Sequence, residues 1–203
     1  MLFRSAGPDT EAWDSRTRPG ELIVGARLLP GAGGAAFGVP HAELRNARVP
    51  ADALGLDARG ELNGALDPDV APQAVARAAL GLVASAPPDP AVQAAVVKLL
   101  DPGQRVDELA TTLGFSERQL RRRFLAAIGY GPKTLQRVLR LRRFLAAAEL
   151  DGAFDGLAAV AVGAGYADQA HLARDCRALT GRTPAQLVGT RRYRSTTSPA
   201  AAA

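Results

Sequence analysis

Three arginines in the second half of the chain, Arg118, Arg121 and Arg122, are spaced three and four residues apart, so on a helix they would share one face. A guanidinium group presents its donors in a rigid fork that can bond O6 and N7 of guanine, or two phosphate oxygens, at once. A charged run on a helix is more often a solvated face, so the residues alone leave both interpretations open. The elements that position these arginines must decide between them.

Basic residues are concentrated in the same half of the chain. Residues 1–100 hold nine Lys and Arg against eleven Asp and Glu, whereas residues 101–203 hold sixteen against nine. Such asymmetry favours a polyanionic partner, with nucleic acid ahead of an anionic membrane surface. No apolar run approaches the roughly 18 residues that a membrane span needs. The first residues lack the features of a secretory signal, so we expect a cytoplasmic protein.

Two copies of one sequence pattern surround the arginines. The first copy is Leu109–Leu135 and the second is Val160–Leu187. Agreement of this density is not expected by chance, so we predict an internal repeat. The matching pairs are Ala110 with Ala161, Gly114 with Gly165, Phe115 with Tyr166, Leu120 with Leu172, Arg122 with Arg174, Gly129 with Gly181, and Pro132 with Pro184.

The first copy has the pattern of a helix-turn-helix unit. Ala110 is small enough for a second helix to cross closely. Gly114 ends the first helix, where a positive φ suits a residue without a side chain. Ser116 can cap the second helix, whose buried side carries Leu120 and Phe124 at a spacing of i, i+4. The arginines then project from the outer side of that helix.

The second copy predicts the same arrangement. Its second helix begins at Asp168 or Ala167, and its buried side carries Leu172, Cys176 and Leu179. We therefore expect Cys176 in a core rather than acting as a redox sensor. The residues left for the outer side are Gln169, His171 and Arg174.

A connecting helix is predicted between the two copies, over Pro132–Glu149, because Pro132 suits a helix start and Asp151-Gly152 suits a stop. Its 18 residues would span about 27 Å, against about 34 Å between successive major-groove faces of DNA. One chain could thus hold two recognition helices on one side of a duplex. Arg140 and its basic neighbours on this helix are candidates for phosphate contacts or for pairing with acidic residues.

These motifs together resemble the DNA-binding domain of the AraC/XylS family. They read GFSERQLRRRF in the first copy and GYADQAHLARDCRALTGRTPAQL in the second, within a match over about residues 92–188. The resemblance implies a bacterial, sequence-specific transcription regulator with a mainly α fold of two helix-turn-helix units joined by a long helix. One departure is Cys176, where the family usually has an aromatic residue, and we expect that corner to be less filled.

The resemblance also implies which residues contact DNA. Base-contacting positions in relatives match three residues of the first copy and four of the second, Ala170 among them. The predicted DNA-binding set is Ser116, Arg118, Arg121, Arg122, Arg140, Gln169, His171 and Arg174.

The first half of the chain predicts part of a sensor region, since family members usually carry one ahead of this domain. Glu21–Leu29 has the composition of a strand, a Gly-rich turn follows at 31–38, and residues 71–84 have a helical pattern. The prolines at 87–90 suggest a boundary. We therefore predict a partial, N-terminally truncated α+β sensor region over 1–86, a DNA-binding domain over 91–188 and a disordered tail over 189–203.

Other functional classes are weaker on this sequence. A dinucleotide fingerprint forced onto Gly31, Gly33 and Ala36 lacks the βαβ unit that it requires. Two histidines and one cysteine are too few for a structural zinc site, and no residue is placed to make His171 a catalytic base. Neither a cofactor nor a metal is predicted, and an enzyme such as an alkylation-repair protein is disfavoured.

The predicted partner is double-stranded promoter or operator DNA, with RNA polymerase a further candidate. We expect no membrane partner, and no small-molecule effector bound by this truncated chain. The main alternative is a small-molecule-binding or dimerisation protein whose helical half does not bind DNA.

Overall fold

The computed structural model of the chain describes residues 4–13, 18, 20–21, 23–54, 67, 69–150 and 157–189. These residues are mainly helical, with a two-stranded sheet, which confirms the predicted mainly α class. Contacts divide the chain into two compact units. The first comprises Met1–Lys98 with Arg105–Pro132, and the second comprises Leu99–Gln104 with Lys133–Ala203. This division does not follow the boundary at 87–90, and the independent folding of residues 91–188 stays a prediction.

The first unit contains the two short strands and five of the helices. Strand β1 (Arg4–Ala6) pairs antiparallel with β2 (Arg48–Pro50), with Ser5 opposite Val49. In chain order its elements are β1 (Arg4–Ala6), α1 (Gly33–Ala36), a 3-10 turn (His41–Leu44), β2 (Arg48–Pro50), a second 3-10 turn (Asp52–Leu54), α2 (Ala71–Ser85), α3 (Pro90–Leu99), α4 (Val106–Thr112) and α5 (Glu117–Ala127).

The strand predicted over Glu21–Leu29 is wrong. The described residues of this segment, all but residue 22, are irregular, and Ile23 and Leu29 are 66% and 75% exposed. A strand needs a ladder partner for its backbone groups, and in the part of the chain that the structure describes β1 and β2 satisfy each other instead. β-forming composition alone was therefore not enough to make a strand here.

The Gly-rich stretch and the predicted helix after it follow the sequence more closely. Gly31 takes a φ of +90° in a turn, and the turn leads into α1. Helix α2 confirms the helix predicted over 71–84, and Pro72 lies in its first turn, where a missing N–H costs nothing. Asp89 caps α3 by accepting hydrogen bonds from the N–H groups of Ala91 and Val92.

Segments that precede Pro90 pack against helix α5 within the first unit. A side chain at Gly34 would overlap the backbone at the end of α5, at Ala126 and Ala127. Gly129, just beyond that end, has a φ of +91° and lies against the carbonyl group of His41. The residues from α1 to the first 3-10 turn thus pack against the C-terminal end of α5.

The described part of the second unit contains two longer helices and two short ones. They are α6 (Pro132–Leu150), α7 (Leu157–Gly163), α8 (Gln169–Thr180) and α9 (184–189). Its core includes Phe144, Ala161, Leu172 and Cys176, all completely buried. Pro132 begins α6 as predicted. The stop predicted at Asp151-Gly152 and the tail from residue 190 lie outside the described residues.

No helix of the described chain is both long enough and apolar enough to cross a membrane.

Candidate nucleic-acid interface

Helices α4 and α5 are joined by a tight turn. Gly114 has a φ of +73°, which carries the chain out of α4. The N–H of Phe115 donates to the carbonyl oxygen of Ala110 at 3.0 Å, and Ala110 itself is buried. Helices α4 and α5 thus have the helix-turn-helix geometry that the sequence predicts for the first copy.

Ser116 caps α5, as its position predicts. Its hydroxyl oxygen accepts a hydrogen bond from the N–H of Gln119 at 3.2 Å, and the Gln119 side-chain oxygen accepts from the Ser116 N–H at 2.9 Å. This reciprocal pair is a capping box. The Ser116 hydroxyl also donates to Gln119 at 3.0 Å. The structure therefore gives Ser116 a local role, and its contact with DNA stays a prediction.

Three arginines of α5 are exposed and unengaged. Arg118, Arg121 and Arg122 make no ion pair or hydrogen bond with the described residues. The opposite side of the helix is anchored by Leu120 and Phe124, which are buried. Helix α5 thus presents three neighbouring guanidinium groups, whose forks are available to bond a partner.

Arg123 is the exception on α5. Its guanidinium pairs with Asp89 at 2.5 Å and lies 4.7 Å from the ring centroid of Phe115. Burial alone would raise the pKa of Asp89, but hydrogen bonds from Arg123 and from the backbone N–H groups at the start of α3 outweigh it and lower that pKa. Arg123 therefore serves the first unit itself.

Helices α7 and α8 are joined by a turn of the same local geometry. Gly165 has a φ of +92°, and the N–H of Tyr166 donates to the carbonyl oxygen of Ala161 at 3.0 Å. Asp168 is the N-cap of α8, because its carboxylate accepts from the N–H of His171 at 2.6 Å. Of the two starting residues that the sequence left open, the structure selects Asp168.

The buried side of α8 confirms the sequence prediction. Leu172, Cys176 and Leu179 all lie in the core of the second unit. Burial, followed by the neighbouring Asp175 carboxylate, raises the pKa of the Cys176 thiol to about 11. A thiol in this setting stays protonated and unreactive at neutral pH.

The outer side of α8 separates the four predicted residues into two groups. Gln169, Ala170 and Arg174 are exposed, and the side chains of Gln169 and Arg174 bond no described residue. His171 is half-buried, and its ring Nε2 lies 3.1 Å from a guanidinium nitrogen of Arg140. His171 and Arg140, predicted separately as DNA contacts, are thus brought together by the fold.

Other arginines of α6 are also engaged within the second unit. Arg137 pairs with the buried carboxylate of Asp175 at 2.8 Å, and Arg143 donates to the carbonyl oxygen of Leu100 at 2.9 Å. Burial, then repulsion from Arg140, lowers the pKa of the Arg143 guanidinium. By contrast, Arg142 is exposed and has no ion pair or hydrogen bond with described residues.

Sequence reasoning did not identify which arginines are engaged in this way. The partners of Arg123, Arg137 and Arg140 lie 34, 38 and 31 positions away in the chain. The two acidic partners, Asp89 and Asp175, carry no local pattern that marks them as such. The free arginines differ from the engaged ones through tertiary contacts, which a helical spacing rule does not contain.

Residues 109–189 match a family model described as a helix-turn-helix domain. No curated protein and no solved structure matches the chain.

Proposed function

We propose that this chain reads a specific DNA sequence with two recognition helices, α5 and α8. Residues 109–189 match a helix-turn-helix family model, and the motifs of both copies resemble the DNA-binding domain of the AraC/XylS transcription regulators. The observation that carries the proposal is the set of exposed arginines on α5, which make no ion pair or hydrogen bond with described residues while the adjacent Arg123 is engaged. Exposed arginines on one face of a helix can bond the acceptor atoms of guanine in the major groove.

For α5 the proposed base-reading residues are Arg118, Arg121 and Arg122. Leu120 and Phe124 anchor the buried side of this helix, and Ser116 caps its first turn. In a helix-turn-helix protein the first turn of the recognition helix lies closest to the base edges. Ser116 lies at the cap of this turn, and because a serine hydroxyl can bond phosphate oxygens we propose it as a contact to the DNA backbone.

For α8 the proposed base-reading residues are Gln169 and Arg174. Gln169 lies at the start of the helix, directly after the Asp168 cap. A glutamine can bond adenine N6 and N7 together, and an arginine can bond guanine. The two sets would read successive groove segments, and α6, continuous from Pro132 to Leu150, is the helix that would link them.

One further partner belongs to this proposal. RNA polymerase is the partner that a DNA-bound activator or repressor would influence, and we propose it without assigning a surface. We propose no effector for this chain.

The test is selection of bound sequences from a random DNA pool, followed by two neighbouring substitutions. Arg122→Ala should cost about 1–3 kcal/mol on the selected site and blur preference at one or two base pairs. Arg123→Ala is the matched control, since Arg123 is bonded to Asp89, and it should leave base preference unchanged. If Arg122→Ala lowers binding to selected and random DNA equally, its base-reading role is wrong.

The absence of any salt-sensitive DNA binding by the full chain would contradict the whole proposal. It would favour a protein whose helical half mediates dimerisation or ligand binding.

A further inference from the structure

Three side chains of the second unit contact one another at the start of α8. The His171 ring packs edge-on against Tyr166, with ring centroids 5.2 Å apart. Arg140 lies over the Tyr166 ring, 5.3 Å from its centroid, and its guanidinium meets Nε2 of His171 at 3.1 Å. We call Tyr166, His171 and Arg140 the Tyr166 clamp.

Hydrogen-bonding chemistry fixes the form of the His171 ring. Arginine carries donors and no acceptor, so Nε2 must be the bare nitrogen that accepts from Arg140. In a neutral ring the proton then sits on Nδ1. The Ala167 N–H also points at Nδ1, from 3.5 Å. A neutral ring has only one bare nitrogen, and the shorter, 3.1 Å contact with Arg140 assigns it to Nε2. A doubly protonated ring would have no lone pair to offer Arg140.

The Arg140–His171 bond is the polar contact that closes the clamp. Tyr166 is buried, and neither its hydroxyl nor Nε of Arg140 has a hydrogen-bond partner among the described residues. His171 is also tied to the first turn of α8, since its N–H donates to Asp168 at 2.6 Å. The clamp therefore joins α6 to the first turn of α8, which carries Gln169.

We propose that His171 and Arg140 are positioning residues, which orient the start of α8 and do not themselves contact DNA. Base recognition in the second unit then belongs to Gln169 and Arg174, whose side chains are exposed. The inference rests on the proposed function, because it assigns roles within that DNA-binding site. It separates two residues that sequence alone places with the direct contacts.

The first experiment compares base preference in three variants of the full chain. His171→Ala should weaken binding to the selected site about two- to tenfold, the loss expected for one hydrogen bond, without a change in preferred base at any pair. His171→Gln retains an acceptor for Arg140 and should restore most of that loss. Gln169→Ala is the control, and it should blur preference at one or two base pairs.

The second experiment asks whether Arg140 touches phosphate. Arg140→Gln removes the charge but keeps a donor for His171. Loss of a phosphate contact reduces the slope of log K against log salt by about 1. The positioning role predicts an unchanged slope, and a slope reduced by about 1 would overturn it for Arg140.

The third experiment needs no DNA. Nitrogen-15 NMR of the labelled chain should show the His171 ring protonated on Nδ1 with a bare Nε2, and Arg140→Ala should abolish that preference. A ring protonated on Nε2 would overturn the clamp.

These outcomes separate the clamp from the function on which it rests. If His171→Ala and His171→Gln both change the preferred base at the same pair, His171 is a base-reading residue and this inference is wrong. If the unmodified chain binds no DNA, the proposed function fails, whatever the ring spectrum shows.

Discussion

The ion pair between Arg137 and Asp175 should respond unequally to loss of its two members. The Asp175 side chain is 7% exposed and the Arg137 side chain 39%, and Oδ2 of Asp175 already lacks a partner among the described residues. Arg137→Met would leave a buried carboxylate without a counter-charge, at a cost of about 3–5 kcal/mol. Asp175→Asn keeps an oxygen for the Arg137 Nε–H and leaves a cation that water can reach, so about 1–2 kcal/mol is expected.

Urea unfolding of the full chain, followed by circular dichroism, measures both losses in the free energy of unfolding. The matched control is Arg105→Met, because Arg105 pairs with Asp107 at 2.6 Å while both side chains are at least 50% exposed. Solvent screens such a pair, so this change should be far smaller than that of Arg137→Met. An Asp175→Asn loss equal to or larger than that of Arg137→Met would refute the burial argument.

Three further predictions concern the first unit. Burial lowers the pKa of His41 from 6.5, so as the pH falls the His41 ring is protonated in the unfolded chain before it is protonated in the folded chain. The free energy of unfolding should therefore fall as the pH drops below about 6.5. His41→Gln should lack that component in a pH series of urea midpoints. Ser116→Ala should cost about 1 kcal/mol in thermal unfolding and Ser116→Asp much less, because Asp also caps; equal losses would contradict the capping role. Gly34→Ala should speed proteolytic cleavage before Pro90, because its Cβ would meet the α5 backbone. Gly81→Ala is the control and should not speed cleavage, because a Cβ at that position meets no other atom. Equal cleavage rates for the two variants would show that the contact between α1 and α5 does not hold this segment.

The helix-turn-helix elements were predictable from the sequence because their determinants are local. Gly114 and Gly165 take the positive φ that ends each first helix, and Ser116 and Asp168 supply the caps three residues before their hydrogen-bond donors. Spacings of three and four residues then separate the buried Leu120 from the exposed arginines. Each of these rules acts within a few residues, so a single chain carries enough information.

The N-terminal strands were not predictable by the same rules. Arg4–Ala6 and Arg48–Pro50 are only three residues long and pair across more than 40 positions, so neither contains a strand pattern. The apolar segment at 21–29 has such a pattern but lacks a described pairing partner. Strand formation depends on that distant partner, whereas a helix satisfies its own backbone.

The roles of the basic residues also depend on contacts that are distant in the chain. Arg122 and Arg123 are adjacent and identical in type, yet Asp89 engages one of them. Arg140 looked like a phosphate contact because its helix is basic, but the fold places it against His171 and Tyr166. Helical spacing predicts which side chains face outward, and only the packed structure shows which of those are already bonded.

The central claim, that this chain binds a specific duplex, is tested most directly by the salt dependence of its affinity for the selected site. If about six phosphates are neutralised, log K should fall against log salt with a slope of about −5. One chain should bind per site, and a scrambled duplex should bind more weakly at every salt concentration. A slope near zero, or equal affinity for selected and scrambled duplexes, would contradict the account.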